Sequence, residues 1–243
     1  MENKNVYIFK IPFLSISKKE FLNLITERVR NDKKTYIVTA NAEIAIYAKD
    51  NSDYYNTIKK ADYILPDGIG IVKGAKILNQ YVEERIPGIE LMENLLEIAD
   101  RNNQSVYFYG AKPEIIQDLI YKIKKDYNNI NISGYSHGYN NDSDNEVTNE
   151  IISLRPDYIF VAKGCPLQDE WIEKVLPKVD KGIFMGVGGS FDVLSGNVER
   201  APKIWRKLNL EWFYRISTDS KRLKRSIALP RFIIEVLKEK LLK

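Results

Sequence analysis

The chain has 243 residues, 44% of them apolar and 29% charged, with a net charge of +4. That length and balance suit one sizeable globular domain, or a domain with an appendage, and exclude a disordered or fibrous chain. One cysteine, Cys165, excludes an internal disulfide and fits a reducing, cytoplasmic setting; no run of 18 apolar residues occurs, so no transmembrane helix is expected.

The elements follow in chain order. The opening run Val6-Tyr7-Ile8-Phe9 is broken by Lys10 and Pro12 and is too short for a signal peptide. Ser17-Lys18-Lys19-Glu20 is a capping box, opening a helix with Phe21, Leu24, Ile25 and Val29 on its apolar face. Residues 35–39 read as a buried strand, followed by a helix capped by Asn41. A strand at 63–65 ends in Pro66-Asp67-Gly68. Pro87 precedes a long helix with Ile89, Met92, Leu95, Leu96 and Ala99 on one side. Strands at 105–109, 130–132, 158–162 and 182–185 alternate with further helices, and residues 140–145 read as a polar loop. Strand and helix alternating at this spacing imply right-handed crossovers, hence a three-layer α/β fold with a mostly parallel, Rossmann-like sheet. Beyond Arg200-Ala201-Pro202 the pattern is helical only. The expected division is an α/β core at 1–197 and a helical appendage at 198–243.

In such a sheet, ligands bind outside the carboxyl ends of the strands. Those ends hold Thr39-Ala40-Asn41-Ala42-Glu43, Pro66-Asp67-Gly68-Ile69-Gly70, Tyr109-Gly110-Ala111, Lys163-Gly164-Cys165-Pro166 and Gly186-Val187-Gly188-Gly189-Ser190. Small or polar residues recur at every exit, which points to one polar pocket. The glycines at 186, 188 and 189 suit either phosphate contact through backbone N–H groups or tight strand–helix packing. Their spacing is not Gly-x-Gly-x-x-Gly, which disfavours a dinucleotide site and with it an oxidoreductase. Asp67 is either a helix cap or a carboxylate that takes a proton from an attacking hydroxyl. Thr39 and Asn41 carry the same ambiguity between capping and ligand contact. Arg85 is a surface cation or a substrate clamp. His137 has no second histidine near it and reads as a loop residue. Asp142-Ser143-Asp144 matches an Asp-x-Asp metal motif, but its Asn/Asp/Ser surroundings read as exposed loop. Cys165 reads as a structural thiol.

Residues 200–243 hold 13 Lys/Arg against 4 Asp/Glu, whereas the preceding 199 residues hold 24 against 29. A basic end points to an anionic partner. It carries Ile204, Trp205, Leu208, Leu210, Trp212, Phe213 and Ile216, then a stripe of Ile233, Ile234, Leu237 and Leu241. Such a segment lies on anionic lipid, packs on the protein body or packs on a partner subunit. No nucleic-acid-binding motif accompanies the charge, so a nucleic-acid module with a basic arm is the weaker alternative.

The motifs at 39–43, 65–70, 109–113 and 186–192, with Arg200-Ala201-Pro202 and Glu211-Trp212-Phe213-Tyr214-Arg215 after them, resemble the WecG/TagA/CpsF glycosyltransferase family over nearly the whole chain. The resemblance is nearest to members acting in wall teichoic acid synthesis. It implies transfer of N-acetylmannosamine (ManNAc) from UDP-ManNAc to undecaprenyl-diphosphate-GlcNAc, with inversion and a β-1,4 link; other members make ManNAcA- or glucose-type linkages. It also implies no cofactor and no divalent metal, and a peripheral place on the inner face of the cell membrane. By position it makes Asp67 the base and puts Thr39 and Asn41 beside it. Arg85 and Gln168 become substrate contacts, and Arg215, Arg222 and Arg225 become candidates to reach the diphosphate. An Asp of ordinary pKa, roughly 3.9, is ionised at neutral pH, so its strength must come from placement. Exposed apolar faces on the tail suggest a homo-oligomer in solution that dissociates on lipid.

Overall fold

The computed structural model describes residues 4–139, 143–202, 204–205, 213–214 and 228–242. The broken opening run forms a hairpin. Strand β1 (Asn5–Ile8) turns through Phe9 and Lys10 into β2 (Ile11–Leu14). Both turn residues sit at positive φ, 52° and 64°, the conformation a two-residue hairpin turn demands and glycine or asparagine usually supplies. Nothing in Phe-Lys announces this turn; tertiary packing holds it. The Phe9 ring meets Phe232 edge-on at 5.5 Å, and Glu239 accepts the Phe9 N–H at 3.0 Å.

Helix α1 (Lys18–Arg30) starts at the expected box, with Ser17 and Glu20 bonding reciprocally. There follow β3 (Thr35–Ala40), α2 (Ala42–Asp50), α3 (Ser52–Lys59), β4 (Tyr63–Pro66), α4 (Ile69–Ile77) and α5 (Gly88–Arg101). The second half comprises β5 (Ser105–Gly110), α6 (Pro113–Asp126), β6 (Asn131–Ser136), α7 (Ser143–Leu154), β7 (Tyr158–Ala162), α8 (Leu167–Val175), β8 (Ile183–Gly186) and α9 (Ser190–Leu194). Helix α10 (Ala228–Leu241) closes the chain. The sheet order is β1-β2-β4-β3-β8-β7-β5-β6, parallel throughout except for the β1–β2 hairpin.

Strand alternation divides the core in two. On β5, Tyr107 and Tyr109 join the cluster under α2, α3, α4, α7, α8 and α10, while Val106 and Phe108 join that under α1, α5, α6 and α9. The fold is therefore the expected three-layer sandwich. One outer edge of the sheet is closed by a side chain: Gln80 accepts the Tyr7 N–H and donates to the Tyr7 carbonyl, both at 2.8 Å.

Two local expectations change. The polar loop at 140–145 is shorter, because α7 begins at Ser143 and Asp144 in its first turn is tied to Tyr109 and Lys163. The stripe expected on the last helix is not its buried side, and of its members only Ile233 packs partly against the core. Phe232 and Val236 enter the core against α2 and α4, where Gly74 lets the Phe232 ring approach; a Cβ there would lie 2.7 Å from it. Ile234, Leu237 and Leu241 stay exposed, and Arg231–Asp50 and Lys49–Glu235 ion pairs fasten the helix. Apolar residues occupy more than one side of this helix, so periodicity alone does not choose which side is buried.

Candidate active site

The chain turns to opposite faces after two adjacent strands: β3 leads into α2 and β8 into α9. Their pairing runs from Thr35–Ile183 to Ile37–Met185 and ends there. By contrast β3 pairs with β4 as far as Ala40–Pro66, and β7 with β8 as far as Val161–Gly186. The sheet thus opens a crevice at the carboxyl ends of β3 and β8, where open α/β sheets bind ligands.

Asp67 stands one strand from this crevice. Its N–H donates to the Ala40 carbonyl at 3.0 Å, and Ile86 N–H donates to the Pro66 carbonyl at 3.0 Å. These bonds extend the ladder past β4 and bring residues 85–88 alongside. The cap of α4 is Gly68, at φ 93°, so Asp67 does not cap the helix that follows it. Its Oδ2 accepts instead from Gly88 N–H at 3.3 Å, at the first turn of α5. The side chain is half-buried. Thr39 shares that support: a Cβ on Gly88 would lie 2.6 Å from its Oγ1. Asn41 caps α2 through Ile44 N–H at 3.0 Å and lies against Gly68. Arg85 is half-buried in the same stretch.

Across the crevice, Gln168 is buried on the first turn of α8. Its Oε1 accepts the Gly188 N–H at 3.0 Å, and its amide covers Gly186 so closely that a Cβ there would overlap it. The glycine turn is therefore not an open nest. Val187 N–H goes to the Val161 carbonyl, Gly188 N–H to Gln168 and Ser190 N–H to the Val187 carbonyl. Of the two roles the sequence left open for these glycines, packing accounts for Gly186, and Gly189 is the exposed member of the turn. Gly110, at φ 117°, packs on the Ala162 backbone, where a Cβ would lie 2.5 Å from the carbonyl. Asp67 and the glycine turn are two strand spacings apart, about 10 Å, which brings them to one mouth.

His137 accepts the Tyr139 N–H at 3.3 Å, a loop contact. Burial works against the charge on Asp144, yet bonds from Lys163 and Tyr109 hold its carboxyl below the usual range. Asp142, Arg215, Arg222 and Arg225 lie outside the described residues. The tail's entry is described: Arg200 forks onto both oxygens of Glu93 at 2.8 and 2.9 Å, with Glu90 at 3.5 Å, on the helix whose first turn holds Asp67. Trp205 stacks on Phe213 at 5.9 Å, leaving Ile204 exposed.

Sequence reasoning missed two contributors. Gly88 could have been found from a glycine at a helix start after Pro87. Asp169, buried beside Gln168, gave no signal, because an acid in a helix's first turn is ordinary.

A mostly parallel α/β sheet that opens a crevice at the carboxyl ends of β3 and β8 defines the class: a Rossmann-like scaffold. The chain belongs to the glycosyl transferase WecG/TagA/CpsF family, whose model matches residues 6–243. It is 39% identical over 232 residues to the N-acetylglucosaminyldiphosphoundecaprenol N-acetyl-beta-D-mannosaminyltransferase of Bacillus spizizenii strain W23, covering 95% of this chain and 90% of that one. The proteins of that name from Bacillus subtilis strain 168 and Staphylococcus aureus strain NCTC 8325 are 37% and 43% identical, over 96% and 84% of this chain and 91% and 80% of theirs. No helix among the described residues is long and apolar enough to cross a membrane.

Proposed function

We propose that this chain moves ManNAc from UDP-ManNAc to undecaprenyl-diphosphate-GlcNAc, making the β-1,4 link of the wall teichoic acid linkage unit with Asp67 as general base. The carrying observation is Asp67 itself: an accessible carboxylate, its backbone locked to β3 and its oxygen steered by the first turn of α5, beside the crevice. The names of the relatives support the acceptor and the sugar moved. In the step, Asp67 takes the proton of the acceptor hydroxyl as that oxygen attacks C1 of the sugar. The C1–O bond to UDP breaks on the opposite face, so the anomeric centre inverts and UDP carries away the bonding pair.

With three amides of the glycine turn already bonded, the charge developing on the diphosphate falls to cations. Arg215, Arg222 and Arg225 are the proposed groups. The position of the tail's anchors supports this: Arg200 grips α5 beside Asp67, and Leu229 at the start of α10 packs on Gly70, three residues past Asp67. The same cations and the exposed Ile234, Leu237 and Leu241 would hold the protein on the anionic inner leaflet. No divalent metal is needed in this scheme.

The test is incubation with UDP-ManNAc and lipid-linked GlcNAc diphosphate, with and without EDTA, following UDP release. UDP release that survives EDTA and falls about 10²–10⁴-fold in a folded Asp67→Ala variant is expected. Near-wild-type turnover by that variant overturns the base assignment, and turnover only with another UDP-sugar reassigns the donor.

A further inference from the structure

Beneath the crevice lies a buried cluster that the transfer step does not use. Asp169, in the first turn of α8, is 1% exposed. Its Oδ1 accepts from the Tyr36 hydroxyl and its Oδ2 from the Tyr54 hydroxyl, both at 2.9 Å. Tyr36 is on β3 and Tyr54 on α3, which belong to the half of the sheet carrying Asp67 and Thr39. Helix α8 belongs to the other half, following β7. The carboxylate therefore spans β8 and ties the two walls of the crevice together.

Its location is specific. Tyr36 pairs with Phe184, one residue before the β3–β8 ladder ends. The strut thus sits at the root of the crevice, where backbone pairing stops holding the strands. The residue before Asp169 is Gln168, whose amide bonds Gly188 and covers Gly186. Any shift of the first turn of α8 relative to β3 moves Gln168 and the glycine turn relative to Thr39 and Asp67.

A buried anion is an expensive way to fill a core, since well-packed apolar residues of similar volume are commonly as stable. Burial pushes the Asp169 carboxyl up to about 6 despite both tyrosine bonds, so its charge is a cost in the folded state. What ionised, two-ended hydrogen bonding gives that apolar packing does not is direction.

We infer that Asp169, held between Tyr36 and Tyr54, is a positioning residue that sets the width of the crevice and thereby the affinity for the nucleotide half of the donor. This rests on the proposed function only in placing UDP at that crevice.

The experiment compares the full chain with two variants, measuring Tm, the Kd of UDP alone, and KM and kcat for the donor. The triple variant Asp169→Leu, Tyr36→Phe, Tyr54→Phe removes the carboxylate and both hydroxyls that bond it. Asp169→Asn retains both links, since its Oδ1 accepts from one tyrosine and its Nδ2 donates to the other. The expected result is a triple variant that melts near the wild type, with UDP Kd and donor KM raised about tenfold and kcat changed less than threefold. Asp169→Asn brings both constants back to within threefold of wild type. A stable triple variant with wild-type Kd and KM overturns the inference, because a purely structural cluster would give that outcome. Should the triple variant not fold, Tyr36→Phe cuts the β3 link alone, and unchanged UDP binding in it overturns the inference equally. Failure of the wild-type protein to bind UDP rejects the proposed function instead, whatever the variants do.

Discussion

At the scale of single residues, two buried or half-buried carboxylates have opposite tasks. Asp67 has its backbone fixed and its oxygens near the mouth, which suits a group that must meet a substrate proton. Asp169 is sealed, facing the Tyr36 and Tyr54 hydroxyls, with Glu170 adding repulsion from its own helix. Its folded pKa, about 6, lies above the unfolded value of about 3.9, so the folded state binds the proton more tightly. The stabilisation this gives is complete below about pH 4 and is lost as pH rises through 6, a change on the order of 3 kcal/mol. Asp169→Asn should therefore melt at or above the wild type at pH 7.5, with the difference closing toward pH 4. A deficit in Tm for that variant that stays constant from pH 4 to 7.5 would show that the carboxylate does not titrate in this window. Asp67 was legible in the sequence only as an acid at a strand exit, either cap or base, and the Gly68 cap of α4 removes the first reading. Asp169 was not, since nothing in the chain marks which tyrosines lie across the sheet.

At the scale of elements, the βα alternation carried most of the architecture and located the strand exits that hold Thr39, Asn41 and Asp67, whereas Gln168, in the first turn of α8, lies beyond the exit read at 163–166. Contacts between elements were the part it could not supply. The spacing of Gly186, Gly188 and Gly189 does not reveal that a glutamine from the neighbouring unit uses the Gly188 amide. Nor does it reveal that α5, not α4, steers Asp67. Gly88 is where that steering can be tested. Gly88→Ala places a methyl 2.6 Å from Thr39 Oγ1, so the Thr39 side chain or the first turn of α5 must shift. We expect turnover to fall at least tenfold with the α/β fold intact by circular dichroism. Full turnover in a folded Gly88→Ala protein would show that the turn's position is not critical.

At the scale of the whole molecule, the C-terminal region is fastened at two places on opposite layers of the sandwich. Arg200 binds α5 on one layer, and Phe232 and Val236 pack on α2 and α4 on the other. Removal of residues 198–243 therefore strips the core as well as the cations. Loss of a buried phenylalanine side chain alone costs about 3–5 kcal/mol, so the truncated protein should melt well below the full chain. Replacing Arg215, Arg222 and Arg225 together by alanine separates the two effects: Tm should hold while UDP release and sedimentation with anionic vesicles drop. Vesicle binding by that variant equal to wild type at low and high salt would remove the electrostatic part of the proposal. The Gln80 clamp on Tyr7 has a different consequence, for how molecules meet. An amide side chain imitating one rung of a neighbouring strand occupies the outward N–H and C=O of Tyr7, which works against two copies fusing their sheets through β1 into a continuous ribbon. A second copy that paired strand to strand would have to use the opposite border, at β6.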